Sequence, residues 1–295
     1  MGKLVEKLSQ IKILLGDGAW GTLLIESGLQ AGECPEAWNI YYPAKVLAVA
    51  AQYIEAGSDI IETNSFGGSW FKLKHYGLEN QTRAINVAAA RISRQAAGND
   101  HIVLGSVGPT GKILMMGEVS RDEMYEAFRD QVMALEEGGA DALIIETMSD
   151  LDEALIAARA ARENTHCDVV VSFTYDRSGN DFHTMMGVTP QEMSSTFSAE
   201  GFSFAGSNCG NGMHDMVELA KQFKDINGYP PFMIQANAGK PLYTDGKTVF
   251  PESPQEMNTQ IIDLLELGVS IIGGCCGTTP AHIREFRKTI DAFLK

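Results

Sequence analysis

Three of the five cysteines stand where apolar runs end beside glycine. Cys209 lies in Ser207-Asn-Cys-Gly210, and Cys275 and Cys276 lie in Gly273-Gly-Cys-Cys-Gly277. Zinc is borderline-soft and binds thiolate sulfur at about 2.3 Å. Catalytic zinc sites typically take three protein ligands and leave the fourth position open, so three converging cysteines fit one zinc ion per chain. Adjacent side chains normally point apart, and chelation by both needs an irregular backbone that flanking glycines permit. Spacing alone leaves other readings open. Free cysteine is among the most buried residue types, so the three could simply pack. A disulfide between Cys275 and Cys276 would be strained, and a reducing compartment disfavours it. Cys34 and Cys167 lie away from such strand ends and read as packing residues.

If zinc is held, its ligands define its chemistry. Three thiolates outweigh the dication, which leaves a poor Lewis acid for water. A coordinated thiol still loses its proton, and its sulfur stays nucleophilic. This fits alkyl transfer to sulfur. A zinc hydrolase would ordinarily use histidine and carboxylate ligands with a general base nearby, and the sequence offers no such group.

These residues need a scaffold that brings distant strand ends together. Short β-branched runs alternate with amphipathic stretches along the whole chain. The expected strands are Ile13–Asp17, Asp59–Thr63, Ile102–Val107, Ala142–Thr147, Val169–Thr174, Phe204–Asn208, Phe232–Ala236 and Val269–Gly274. The expected helices are Pro43–Ala56, Thr82–Ala97, Ser120–Gly138, Leu151–Glu163, Pro190–Ala199, Met213–Lys224, Ser253–Leu267 and Pro280–Leu294. Eight such pairs predict an α/β fold, a (β/α)8 TIM barrel, with residues 1–295 as one domain. A doubly wound open sheet is the runner-up, and it usually has fewer strands. Barrel chemistry sits at the C-terminal ends of strands. Read in order, those ends give Asp17, Asn64, Ser106, Glu146, Thr174, Asn208 with Cys209, Asn237, then Cys275 with Cys276.

Composition narrows the partners. The formal net charge of −15 argues against non-specific nucleic-acid binding and against docking on anionic lipid. Lys3, Glu6, Lys7 and Lys12 interrupt any signal-like apolar run, and no stretch approaches a membrane span. The expectation is a cytoplasmic protein with reduced thiols. His183 and His214 read as solvated loop histidines.

Seven segments resemble one known family. They are Gly16-Asp-Gly-Ala-Trp-Gly-Thr22, Glu62-Thr-Asn-Ser-Phe-Gly67, Gly105-Ser-Val-Gly-Pro-Thr-Gly111 and Glu146-Thr-Met-Ser-Asp150, followed by Ser207-Asn-Cys-Gly210, Asn237-Ala-Gly-Lys-Pro241 and Gly273-Gly-Cys-Cys-Gly-Thr-Thr-Pro280. Together they look like the homocysteine S-methyltransferase family. That family includes the homocysteine-binding domain of cobalamin-dependent methionine synthase and the betaine–homocysteine methyltransferase. The resemblance implies the same barrel. It implies zinc held by Cys209, Cys275 and Cys276, with Asp17 and Glu146 binding the homocysteine amine. Asn237 is expected beside the zinc, as a weak ligand without substrate. Asn64 is expected to bind substrate or to act as a structural hydrogen-bonder. Backbone amides of the Gly18–Gly21 turn and near Ser106 are expected to receive the substrate carboxylate.

The implied reaction carries a methyl group to the homocysteine thiol and gives methionine. Cys-Cys-Gly-Thr-Thr-Pro and Gly-Pro-Thr-Gly look closer to the methionine synthase domain. No cobalamin site is evident in the chain itself, so the expected donor is a separate methylated corrinoid protein or a methylcobalamin domain. The alternatives are a small donor, S-methylmethionine or betaine, a different acceptor thiol, and a zinc-bound binding barrel without turnover. Met115, Met116, Met185 and Met186 lie in two loops, where they either help a partner dock or cover the barrel.

Overall fold

In the computed structural model, which describes residues 2–202, 204–226, 231–244 and 247–295, eight parallel strands form one sheet. They are β1 (Leu14–Leu15), β2 (Ile60–Glu62), β3 (Ile102–Val107), β4 (Ala142–Met148), β5 (Asp168–Phe173), β6 (Phe204–Gly212), β7 (Phe232–Asn237) and β8 (Ile271–Gly274). The hydrogen-bonded order is β1-β8-β7-β6-β5-β4-β3-β2, with every ladder parallel. The seam between β1 and β2 is tied by Asp59. Its N–H donates to Leu15 O (2.7 Å) and its carboxylate accepts from Leu15 N (2.9 Å). Arg287 Nη1 donates to the same carboxylate oxygen at 2.9 Å. The result is the (β/α)8 barrel that the alternation predicts.

The side chains of each strand alternate between the barrel interior and the helical jacket. One buried cluster gathers Leu14, Ile60, Leu104, Ile144, Val170, Met233 and Ile271, one from each of seven strands, with Phe204 from the eighth. Neighbouring positions such as Leu15, Ile61, Val103, Leu143, Val171, Ile234 and Ile272 belong to the larger cluster beneath the helices. The interior is therefore apolar at its base. Two residues further along the same strands, the inward positions become Glu62, Ser106, Glu146, Ser172, Gln235 and Gly273. On β6, Asn208 lies two steps of two beyond Phe204. That polar layer is the floor of the mouth.

Helix α1 (Lys3–Gln10) lies outside the predicted alternation. Its Leu4 is fully buried in the basal cluster, and Leu4 N (3.0 Å) and Val5 N (3.2 Å) donate to Asp168 Oδ2. It plugs the end opposite the mouth. The expected helix Ser253–Leu267 divides into Pro254–Asn258 and Ile261–Leu267. At the break the Thr259 hydroxyl donates to Glu256 O (2.7 Å), and Asn258 accepts from Thr289 (2.9 Å). Such local side-chain bonds compete with helix continuation. Two hairpins, Asp176–Ser178 with Asp181–His183 and Leu242–Thr244 with Lys247–Val249, also escaped the expectation. Both rise from loops that follow strands. Among the described residues, no helix is long and apolar enough to cross a membrane.

Candidate metal centre and amino-acid pocket

The three cysteines converge. Their sulfurs all lie within 4.8 Å of one another, and Cys209 Sγ is 3.8 Å from Cys276 Sγ. All five cysteines are free thiols. Tetrahedral coordination at about 2.3 Å separates two sulfurs by about 3.8 Å, so the spacing fits zinc-type coordination. The backbone reaches this geometry by two devices. Cys209 adopts a left-handed conformation (φ 63°) where β6 loses register between Asn208 and Gly212. The vicinal pair sits in a turn closed by Thr278, whose N–H (3.1 Å) and hydroxyl (2.7 Å) both donate to Cys275 O. A Cβ on Gly274 would lie 2.2 Å from Thr278 Oγ1, so that turn requires glycine.

Without a metal, the cluster shares its protons unevenly. Cys275 and Cys276 both hydrogen-bond the Cys209 sulfur, which holds Cys209 well below the usual thiol range. The same bonds hold the other two thiols above it.

A cavity of about 380 Å³ opens beside the sulfurs. Its charged lining is acidic, with Glu36, Glu62 and Glu146, and no lysine or arginine among the described residues. Burial pushes Glu146 up to about 7, and the adjacent Cys209 and Asp17 charges act in the same direction. The Ser106 hydroxyl donates to Glu146 Oε1. Burial also pushes Asp17 up to about 7. Glu62 is held well above the carboxylate range by burial, then by Glu146 and Asp17. Three neighbouring buried carboxyl groups without a basic partner make a site that favours a cation.

Asp17 does not line the cavity itself, but two of its partners do. Trp20 Nε1 and Glu62 N both donate to Asp17 Oδ2, and Oδ1 has no partner. Asn237 hydrogen-bonds Cys209, and its buried Oδ1 has no partner. Asn64 lines the cavity, but its side-chain amide donates to Pro35 O (2.8 Å) and Asn39 Oδ1 (3.0 Å). That use is structural. The Ser106 N–H itself donates to Thr63 Oγ1 (3.0 Å). The Gly18–Gly21 turn does line the cavity, and the helix Trp20–Glu26 that follows has no side-chain cap. Met115, Met116 and Met185 are 82%, 71% and 80% exposed and therefore do not cover the barrel.

Sequence reasoning placed Asn208 at the mouth beside Cys209 without a role of its own, and missed Glu62 and Gln235 as site residues. Glu62 accepts from Gln235 Nε2 at 2.7 Å, and both line the cavity. The signal was parity. Each lies an even number of residues beyond an inward-facing apolar residue of its own strand.

The comparisons agree with this geometry. A family model described as homocysteine S-methyltransferase matches residues 14–290. The methionine synthases of Mycobacterium leprae and Mycobacterium tuberculosis are each 30% identical over 300 residues, covering 96% of this chain. The chain spans only about a quarter of their length, 24% and 25%. The metallated homocysteine methyltransferase MmuM from Escherichia coli superposes with a TM-score of 0.80 at 23% identity, covering 97% of this chain and 99% of that one. A methyltransferase from Methanosarcina mazei gives 0.64 at 13% identity, covering 99% and 98%. The two structures share the fold, and the family match reaches almost from one end of the barrel to the other: the chain is a methyltransferase enzyme of the homocysteine S-methyltransferase family.

Proposed function

We propose that this chain methylates the thiol of homocysteine at a zinc ion held by Cys209, Cys275 and Cys276, giving methionine. The observation that carries the reading is the juxtaposition of three converging sulfurs with an acid-lined cavity that lacks a basic residue among those described. Zinc, when bound, lowers the proton affinity of a thiol placed at its open position. The chain's own residues orient the amino acid. Glu146 and Asp17 receive the ammonium group, and Glu62 deepens the same negative field. The Ala19 N–H in the Gly18–Gly21 turn is taken by Thr278, and the other amides of that turn receive the carboxylate. Asn237, hydrogen-bonded to Cys209, steadies the sulfur cluster. Held at both ends, homocysteine presents its sulfur to the mouth. The deprotonated sulfur attacks the donor methyl carbon, and the donor keeps the electron pair of the bond that breaks. Positioning of this kind supplies a large share of the rate of a two-substrate transfer.

The proposed donor is a methylated corrinoid protein. Two observations support it: Met115, Met116 and Met185 stand exposed on loops that follow strands β3 and β5, and the relatives that the chain matches at 30% identity are named methionine synthases. Exposed methionines make an adaptable docking surface. A small cationic donor, S-methylmethionine or betaine, is the second reading, favoured by the acidic cavity. The test is a donor screen with zinc-loaded protein, homocysteine, and methionine as readout. A methylated corrinoid donor should give methionine, and turnover only with a small donor would select the second reading. No methionine from any donor would overturn the proposal.

A further inference from the structure

Strands β4 and β6 are not neighbours, because β5 lies between them. Each loses register at the mouth, β4 between Ile145 and Met148 and β6 between Asn208 and Gly212. Each break contains one non-glycine residue in the left-handed region, Thr147 (φ 58°) and Cys209 (φ 63°), and these are the only two among the described residues. Such conformations persist when surrounding contacts over-determine them.

One side chain joins the two breaks. Asn208 is fully buried. Its Oδ1 accepts from Thr147 N (2.9 Å) and from Ser172 Oγ on the intervening strand (2.7 Å). Its Nδ2 donates to Thr147 Oγ1 (2.7 Å) and to Glu146 Oε2 (3.1 Å). An amide side chain has two donors and two acceptor lone pairs, and here all four are used. The backbone carbonyl of Asn208 accepts from Thr174 Oγ1 at 2.8 Å. The residue therefore grips Glu146 with its side chain and leads directly into Cys209 with its main chain.

We infer that Asn208 is a positioning residue that sets the separation between the Glu146 carboxylate and the Cys209 sulfur, and thereby selects the length of the amino-acid thiol. The inference rests on the proposed homocysteine and zinc reading of this site. Glu146 marks where the ammonium group is held, and Cys209 marks the metal end, where the thiol is held. A rigid link between them acts as a gauge. Homocysteine spans it, and cysteine, shorter by one methylene, does not.

Two variants test the inference. Asn208→Ala removes all four bonds. Asn208→Asp keeps the two acceptor bonds that hold β4 and β5, but replaces the donors to Glu146 and Thr147 with a like charge. The measurements are zinc release to a chelator, homocysteine and cysteine affinities by calorimetry, and melting temperature. Asn208→Ala should release zinc at least tenfold faster, bind homocysteine at least tenfold more weakly, and lose most of the preference over cysteine. Asn208→Asp should hold zinc as the unmodified chain does, and still lose at least tenfold in homocysteine affinity. A lowered melting temperature with zinc release, affinity and preference unchanged would assign Asn208 a purely structural role and overturn the inference. If Asn208→Ala does not fold, unchanged homocysteine affinity in Asn208→Asp overturns it alone. An unmodified chain that holds zinc but binds no homocysteine overturns the proposed function. In that case zinc release still decides the sulfur half of the inference, and equal rates in the unmodified chain and Asn208→Ala overturn it.

Discussion

Trp20 Nε1 donates to Asp17 Oδ2 at 2.8 Å, and this bond reserves one carboxylate oxygen for the indole while Oδ1 stays buried without a partner. A buried acceptor with no donor is costly unless a ligand satisfies it. On the proposed reading, Asp17 Oδ1 is the atom that an arriving N–H donor would satisfy.

Asp17→Asn should preserve the Trp20 and Glu62 bonds, because an amide oxygen still accepts, but remove the charge. Hydrogen bonds to charged groups contribute about 1.5–3 kcal/mol, so KM for homocysteine should rise roughly 10- to 100-fold. Because the lost contact is made equally before and during methyl transfer, kcat should stay within a few-fold. Steady-state kinetics in both substrates separates the two, and a fall in kcat alone would place Asp17 at the reacting atoms instead.

The raised carboxyl groups give the free protein a pH signature. Asp17 and Glu146 sit near 7 in the fold, above the ordinary unfolded range near 4. Between those values the folded chain binds more protons than the unfolded one. Stability from these groups is thus highest below pH 4, falls as pH rises to about 7, and is flat above. Urea midpoints between pH 5 and 8 should fall less steeply in Asp17→Asn than in the unmodified chain. Homocysteine binding should strengthen over the same interval, because the ionised carboxylates bind its ammonium group. Parallel pH profiles for the two proteins would contradict this.

Removing one sulfur should empty the metal site. Purified protein should carry about one zinc per chain, and Cys276→Ala far less, with activity down by at least about a thousandfold. Metal analysis checks the first point. X-ray absorption at the zinc edge checks the second: adding homocysteine should raise the number of coordinated sulfurs from three to four. A variant that keeps tightly bound zinc would disprove the ligand set.

The apolar rim should matter to a large donor only. A triple Met115→Lys, Met116→Lys, Met185→Lys variant alters positions that are mostly exposed, where substitutions usually change stability little. It should raise the apparent KM for a methylated corrinoid protein about tenfold or more and leave homocysteine affinity unchanged. Equal effects on both substrates would remove these residues from the docking surface.

The barrel and its sulfur ligands were legible because they rest on local signals. Apolar β-branched runs marked seven of the strands within two residues, β6 alone running four residues further to Gly212, and glycines flagged the backbone freedom around Cys275 and Cys276. β1 and β2 came out shorter, yet their flanking amides still bond: Gly16 N reaches Ile272 O at 2.7 Å and Thr63 N reaches Leu104 O at 3.1 Å. The polar floor was less legible. Glu62 and Gln235 meet from strands 173 positions apart in sequence, and nothing local pairs them. The bond of the Ser106 amide was illegible for a similar reason, because its acceptor, Thr63 Oγ1, lies 43 positions away beyond the neighbouring strand. Helix α1 stands ahead of the strand–helix alternation and was not among the expected helices, although Leu4 is buried in the basal cluster and Val5 and Leu8 pack against it.

The packed base governs traffic. With apolar side chains from all eight strands and Leu4 filling it, an amino acid bound as proposed would enter and leave by the mouth, which would also face the methyl donor. A donor large enough to cover the mouth closes the way out. Kinetics with such a donor should therefore be ordered: homocysteine first, donor second, spent donor released, methionine last. A chain with one door works as a queue.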